Sequence, residues 1–252
     1  MDDKIAARLF VTGGLAAGAR LTLARGHGHY LAHVLRLAPG AAVALFNGCD
    51  GEWRGRIESL AKGGAAVAVE KQLREQRPDP DIWLVFAPVK RGPLDFLVQK
   101  ATELGVSALV PAITRRTIVE RVRRERMEAN AIEAAEQCER LTVPEIRDAA
   151  PLSRILDDWP EGRRILLCAE TGAAEPIHDV LRRTGHAGPC AILTGPEGGF
   201  EQTELDGLRK LPFVTTVGLG PRILRADTAA LAALACWQSA HGDWRMRPPR
   251  PD

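Results

Sequence analysis

Two short loops hold the residues best suited to binding a ligand. Leu193-Thr194-Gly195-Pro196-Glu197-Gly198-Gly199-Phe200 follows the apolar run Pro189-Cys190-Ala191-Ile192-Leu193. It precedes Glu201-Gln202-Thr203-Glu204-Leu205, whose acidic residues suit the first turn of a helix. Gly195, Gly198 and Gly199 let the backbone reach positive φ and let a ligand lie close against it. Gly218-Leu219-Gly220-Pro221-Arg222-Ile223-Leu224-Arg225 has the same setting. It stands between the strand-like Phe213-Val214-Thr215-Thr216-Val217 and an alanine-rich helix that begins at Ala226. Either loop alone reads as an ordinary turn. Two strand–glycine loop–helix units in succession point to one shared pocket at the carboxyl ends of the strands, where open α/β sheets bind ligands.

Several other chemistries are disfavoured. No Gly-Lys-Ser/Thr follows Gly195, so the first loop is not a phosphate-binding P-loop, and the spacing of a dinucleotide fingerprint is absent. His29 and His33 are four apart on a helix face, yet no third ligand lies within sequence reach, so no metal is expected. No Gly-x-Ser-x-Gly elbow is present. Cys49, Cys138, Cys168, Cys190 and Cys236 are dispersed, which fits a reducing cytoplasm and argues against a disulfide framework or a zinc site. The start, Met1-Asp2-Asp3-Lys4-Ile5, lacks a signal-peptide pattern, and no apolar run is long enough to span a bilayer. The net charge of +2 leaves the question of a nucleic-acid partner to the distribution of charge.

The elements that must position the loops read as two domains. The chain has 252 residues, 45% hydrophobic but only 5% aromatic, so its cores must rely on Leu, Val, Ile and Ala. Residues 1–72 carry four or five short strands and one helical stretch at 29–37, the pattern of a small β-barrel. Asn47-Gly48 is a hairpin signal within it. The polar, proline-bearing segment 73–81 reads as a linker. From Ile82 longer strands alternate with helices: strands at 82–86, 107–113 and 164–169, helices at 94–104 and 125–140, then the two loop units. Residues 82–244 therefore read as an α/β domain with a mainly parallel sheet, and 245–252 as a flexible tail.

Three blocks stand in order along the second domain. They are Lys90-Arg91-Gly92 through Gln99-Lys100-Ala101-Thr102-Glu103-Leu104-Gly105-Val106; Glu133-Ala134-Ala135-Glu136-Gln137-Cys138-Glu139-Arg140 with Pro144; and the two glycine loops. With Arg8-Leu9-Phe10, His33-Val34-Leu35-Arg36-Leu37 and Gly40 ahead of them, they resemble the RsmE-type methyltransferases of the SPOUT class. That family methylates N3 of a uridine in 16S ribosomal RNA. The resemblance spans nearly the whole chain. It implies a SPOUT domain with a trefoil knot, a preceding PUA-like β-barrel that docks RNA, and a homodimer with active sites near its interface. Two positions depart from the family: Asp227 stands where Glu is usual, and Arg115-Arg116-Thr117 carries Thr for Ser. Both keep the chemical group type.

The resemblance further implies that S-adenosyl-L-methionine is cradled by the two loops and the Ala169-Glu170-Thr171-Gly172 turn. Its contacts would be Leu193, Thr194, Gly195, Pro196, Gly198, Gly199, Leu219, Gly220, Ile223, Leu224, Ala169 and Glu170, through backbone groups at Leu193, Thr194, Gly195, Gly199, Leu219, Ile223 and Leu224. Arg225 is the candidate to stabilise charge growing on the uracil oxygens as N3 loses its proton. Glu197 is the candidate to accept that proton or to orient the base. The plainer accounts are an ion pair of Arg225, with Glu197 as one possible partner, and a helix-capping carboxylate at Glu197. Glu103 and Glu136 read as structural, as helix-face charges. RNA contacts are expected from Arg115, Arg116, Arg121, Arg123, Arg124 and Arg126, and from Arg8, Arg25, Arg36 and Arg54 in the barrel. For the arginine-rich run the plainer account is a solvated helix face. Three rival functions remain: a SPOUT methyltransferase with another rRNA or tRNA target, a non-catalytic RNA-binding ribosome-assembly factor, and, weakened by the missing dinucleotide fingerprint, a generic nucleotide-dependent α/β oxidoreductase.

Overall fold

The computed structural model describes residues 4–61, 63–119, 121–169, 174–185 and 188–246. Its contacts divide the chain into two units, Met1–Pro78 with Ala135–Val143, and Asp79–Ala134 with Pro144–Asp252.

The first unit contains β1 (Ile5–Phe10), β2 (Arg20–Leu23), α1 (Arg25–His29) running into a π-helical turn at Tyr30–Val34, β3 (Ala42–Phe46), β4 (Glu52–Ala61) and β5 (Gly64–Arg74). The sheet order is β1-β3-β4-β5-β2. β1 pairs with β3 in parallel, and the other pairs are antiparallel. Leu9, Leu31, Val43, Leu45, Ile57 and Val67 form its core. β5 continues to Arg74, which pairs with Glu52, so the start of the linker-like segment is strand. The Asn47-Gly48 signal does join two antiparallel strands, through a loop at 47–51. There the Asn47 side-chain oxygen accepts the N–H groups of Cys49 (3.0 Å) and Asp50 (2.8 Å), an Asx turn.

The second unit contains β6 (Ile82–Phe86), α2 (Arg91–Glu103), β7 (Ala108–Ile113), α3 (Arg124–Gln137), β8 (Glu145–Ile146), β9 (Ala150–Pro151) and α4 (Leu152–Asp157). These are followed by β10 (Arg164–Cys168), β11 (Glu175–Pro176), α5 (Ile177–Thr184), β12 (Cys190–Thr194), α6 (Gln202–Arg209), β13 (Val214–Gly218) and α7 (Ala226–His241). The strand order is β11-β13-β10-β12-β6-β7-β8, with β9 beside β7, and the pairs are parallel. β6 and β12 are buried at every position, as strands covered on both faces must be. Val85, Val110, Ile165, Leu167, Leu193 and Leu205 belong to one core, each such side chain contributing about 1.5–3 kcal/mol on burial.

This strand order builds the site. β10 lies between β12 and β13, with Cys168 level with Thr194 on one side and Val217 on the other. Because all three run the same way, the chain leaves them at one edge, and both glycine loops emerge side by side.

α3 ends inside the first unit. Its last turn and residues 138–143 pack there, with Glu139 in the left-handed region (φ 62°) as the chain leaves the helix. The Glu136 carboxylate accepts the Phe10 N–H at 2.8 Å, so this helix-face charge is structural and pins β1.

Two barrel arginines expected to meet RNA are committed elsewhere. Arg8 pairs with Glu52, donates to the carbonyls of Ala135 (2.7 Å) and Arg140, and lies 3.8 Å from the Phe46 ring centre. Its side chain is only 10% exposed. Arg54 is buried and pairs with Glu70 at 3.0 Å. Alternation puts Arg8 on the face of β1 opposite the core residue Leu9 and Arg54 on the face of β4 opposite the core residue Ile57, and their buried charge there needs a carboxylate or carbonyl partner.

Candidate functional site

The two glycine loops enclose one cavity of about 700 Å³. Ala169 contributes from the end of β10; Thr194, Gly195, Pro196, Gly198 and Gly199 from the first loop; and Leu219, Gly220, Ile223 and Leu224 from the second. Gly199 (φ 67°) and Gly220 (φ 96°) occupy the left-handed region that favours glycine. The Pro196 carbonyl accepts the Gly199 N–H at 2.9 Å, which tightens the first loop into a turn. The Thr194 carbonyl accepts the Ala87 N–H at 3.0 Å and ties the root of that loop to the end of β6.

Two expected cofactor contacts are not among these wall residues. Leu193 is fully buried in the sheet core, one residue short of the cavity, because β12 continues through Thr194. Its side chain packs in the sheet core, and the contact expected of it is through the backbone. Glu170, with Thr171 and Gly172 of the same turn, lies outside the described residues, as does the tail from residue 247.

Arg225 and Glu197 both line the cavity. Both are exposed, and among the described residues no ion pair joins them. Glu197 does not cap a helix either: Glu201 occupies the N-cap of α6. Arg225 is the N-cap residue of α7. Asp227 in that helix's first turn accepts the Thr228 N–H at 2.7 Å, so its shorter carboxylate is engaged with its own backbone.

Sequence pattern did not single out Cys168, Ala174, Phe200, Gln202, Leu205 or Val217 as wall residues. Phe200 closes the first loop and Leu205 lies in the helix just after it, so their nearness was a readable signal. Arg116 reaches the wall from the turn after β7, a position local pattern cannot reveal. Burial pushes the Cys168 thiol up to about 12. It is therefore a neutral wall group at physiological pH and is unsuited to nucleophilic attack.

The expected RNA-binding arginines divide. Arg25, Arg36 and Arg123 are exposed. Arg115 bonds Glu201 (2.8 Å) and Thr203 (2.9 Å), and Arg116 donates to the Gly198 carbonyl at 2.9 Å. Arg124 bonds Glu128 at 2.8 Å, and Arg126 bonds Asp95 at 2.7 Å. Opposite charges at helix spacing and across α2 and α3 thus absorb part of the arginine-rich run.

A parallel α/β sheet whose adjacent strand ends carry paired glycine loops around one cavity, with a small β-rich unit before it, is the architecture of a SPOUT-class methyltransferase. The sequence matches the RNA methyltransferase domain family over residues 75–238 and the RNA methyltransferase PUA domain family over residues 26–70. It is 34% identical over 231 residues to Ribosomal RNA small subunit methyltransferase E of Rickettsia conorii, covering 90% of this chain and 93% of that protein. The fold superposes on the same-named protein of Neisseria gonorrhoeae, solved bound to S-adenosyl methionine, with a TM-score of 0.85. That match has 29% identity and covers 94% of this chain and 99% of the other. A putative methyltransferase of Legionella pneumophila, solved in complex with the bound cofactor SAM, superposes with a TM-score of 0.84 at 30% identity, covering 95% of this chain and 99% of that one. The chain belongs to the RNA methyltransferase family. No helix among the described residues is long and apolar enough to cross a membrane.

Proposed function

We propose that this protein transfers a methyl group from S-adenosyl-L-methionine to N3 of a uridine in 16S ribosomal RNA of the small subunit. The observation that carries this reading is the shared cavity of about 700 Å³, closed by two glycine loops and bearing Arg225 and Glu197 on its wall. Its size falls within the range of cofactor sites. The relatives named for the small ribosomal subunit, and the two similar structures solved with the cofactor, support the donor and the substrate class.

The residues present fit the cofactor. Thr194, Gly195, Pro196, Gly198 and Gly199 would hold it from one side, and Leu219, Gly220, Ile223 and Leu224 from the other, with Ala169 between. Leu205, Val217 and Ala229 supply apolar wall suited to an adenine. When bound, the cofactor supplies an electrophilic methyl on a sulfonium. Uridine N3 carries a proton and is a poor nucleophile until it leaves. Glu197, exposed and in no ion pair among the described residues, takes that proton. Arg225, held at the start of α7, stabilises the charge left on the uracil oxygens. The first unit docks RNA, with Arg25 and Arg36 meeting phosphates, and Arg123 adds a contact from the second. Ile223, 84% exposed on the cavity wall, fits a homodimer in which a second copy covers it. The free cysteines fit a cytoplasmic setting.

Methyl transfer from labelled cofactor to unmodified small subunits, with mass spectrometry of the product nucleoside, tests this. N3-methyluridine that disappears in Arg225→Ala is the expected result. Another methylated nucleoside would overturn the target. No transfer together with no cofactor binding would favour the assembly-factor reading.

A further inference from the structure

We infer that the turn at 114–117 is a clasp on the first glycine loop, and that Arg116 is a positioning residue for the methyl donor and not an RNA contact. The donor itself rests on the function proposed above; the clasp does not.

The turn is locked from within. Thr117 N–H donates to the Thr114 carbonyl at 3.1 Å, Thr114 N–H donates to the Thr117 hydroxyl at 2.9 Å, and the two hydroxyls lie 2.9 Å apart. Thr114 is buried, 5% exposed, so the base of the turn is anchored at the end of β7. Two consecutive arginines therefore leave a fixed base, and both engage the same loop from neighbouring points.

Arg115 grips the far end of the loop. Its guanidinium bonds Glu201 (2.8 Å) and Thr203 (2.9 Å), and its backbone N–H reaches Glu204 at 3.3 Å. Those residues form the N-cap and first turn of α6. The Arg115 guanidinium also holds the Glu201 carboxyl below the usual carboxylate range. Arg116 grips the middle, donating to the Gly198 carbonyl at 2.9 Å while lining the cavity itself.

Energetics explain why such a loop needs a clasp. Three glycines between residues 195 and 199 give the free segment unusual backbone entropy. A cofactor bound through backbone groups would have to order that segment on arrival. A charged donor on the Gly198 carbonyl fixes the orientation of the Gly198-Gly199 peptide beforehand, next to the positive φ of Gly199. Preorganisation of this kind appears as cofactor affinity. A phosphate contact would instead appear as RNA affinity with a salt dependence.

The experiment compares wild type, Arg116→Ala, Arg116→Lys and Arg115→Ala without RNA. Hydrogen exchange of the 195–201 amides is followed in the cofactor-free protein, and the dissociation constant of S-adenosyl-L-methionine is measured by calorimetry. Arg116→Ala should speed exchange at Gly198 and Gly199 and weaken cofactor binding about tenfold, the size expected for a lost charged hydrogen bond. Arg116→Lys, which keeps a donor, should recover most of both, and Arg115→Ala should loosen Glu201 more than Gly198. In a separate methyl-transfer assay with RNA over a range of salt, the KM of Arg116→Ala for RNA should stay within about twofold of wild type. Unchanged exchange and unchanged cofactor affinity, with a raised RNA KM and a shallower salt dependence, would overturn the proposal. If wild type fails to bind the cofactor, the function proposed above falls, while the exchange data still decide the clasp.

Discussion

Gly195 faces the ring of Phe200 so closely that a Cβ there would stand 2.9 Å from Phe200 Cε2 and 3.0 Å from Cδ2. Gly198 is the contrast: its added Cβ would meet only Arg116 Cδ, at 3.9 Å, an ordinary contact. Overpacking typically costs about 1–3 kcal/mol, so Gly195→Ala should weaken cofactor binding by about tenfold or more, and Gly198→Ala much less. Calorimetry on both variants checks the order. Equal losses would mean that the Phe200 contact does not shape the loop. Phe200→Leu in the Gly195→Ala background should restore part of the affinity.

Arg225 and Glu197 should separate binding from chemistry. Glu197→Gln keeps the shape of the side chain but removes the proton acceptor, and turnover should fall about hundredfold. Arg225→Ala should lower turnover by about a hundred- to a thousandfold. Cofactor affinity should hardly change in either variant. Single-turnover rates with the donor saturating are the measurement. A wild-type rate in Glu197→Gln would remove that residue from the proton transfer.

Arg8 tests a buried ion pair. Removing it leaves Glu52, only 9% exposed at its side chain, with a weaker partner in Arg74 at 3.4 Å. The carbonyls of Ala135 and Arg140 also lose a donor. Breaking a buried pair from one side costs about 3–5 kcal/mol, so Arg8→Ala should lower the urea midpoint sharply. Arg36→Ala, at an exposed position, should leave stability near wild type and reduce the salt slope of RNA binding by about one charge. The reverse assignment would show that Arg8 reaches RNA after all.

Asp95 supplies a pH dependence with a definite sign. The Arg126 guanidinium, bonded at 2.7 Å, holds the Asp95 carboxyl below the ordinary carboxylate range, and Asn130 adds a bond at 2.9 Å. A carboxyl whose native value lies below its unfolded value stabilises the fold above the unfolded value. That stabilisation is lost as pH falls through the native one. The stability gap between wild type and Asp95→Asn should therefore be full at neutral pH and narrow as the solution is acidified below about pH 4. Urea melts of both proteins across that range check it; a gap that widens on acidification would contradict the sign.

Local pattern was sufficient for the parts of this protein whose structure is local. The apolar runs of β6, β7, β10 and β12, the glycine loops behind two strands and the alanine-rich α7 are each readable within about ten residues. The resemblance of ordered motifs then led to the family. The shortest elements, β8, β9, α4 and β11, escape because two to six residues carry too little periodicity. α5 carries a legible signal after Pro176, with Ile177, Val180 and Leu181 buried at helical spacing. Folding alone settles which charges are free. Arg8 lies 127 residues before the carbonyl of Ala135 that it binds, and Arg116 lies 82 before that of Gly198. It also settles that β10 runs between β12 and β13, which turns two separate turns into one cavity. Strand order and ion-pair partners depend on contacts between distant segments, and the energy of those contacts exists only once the chain has closed on itself.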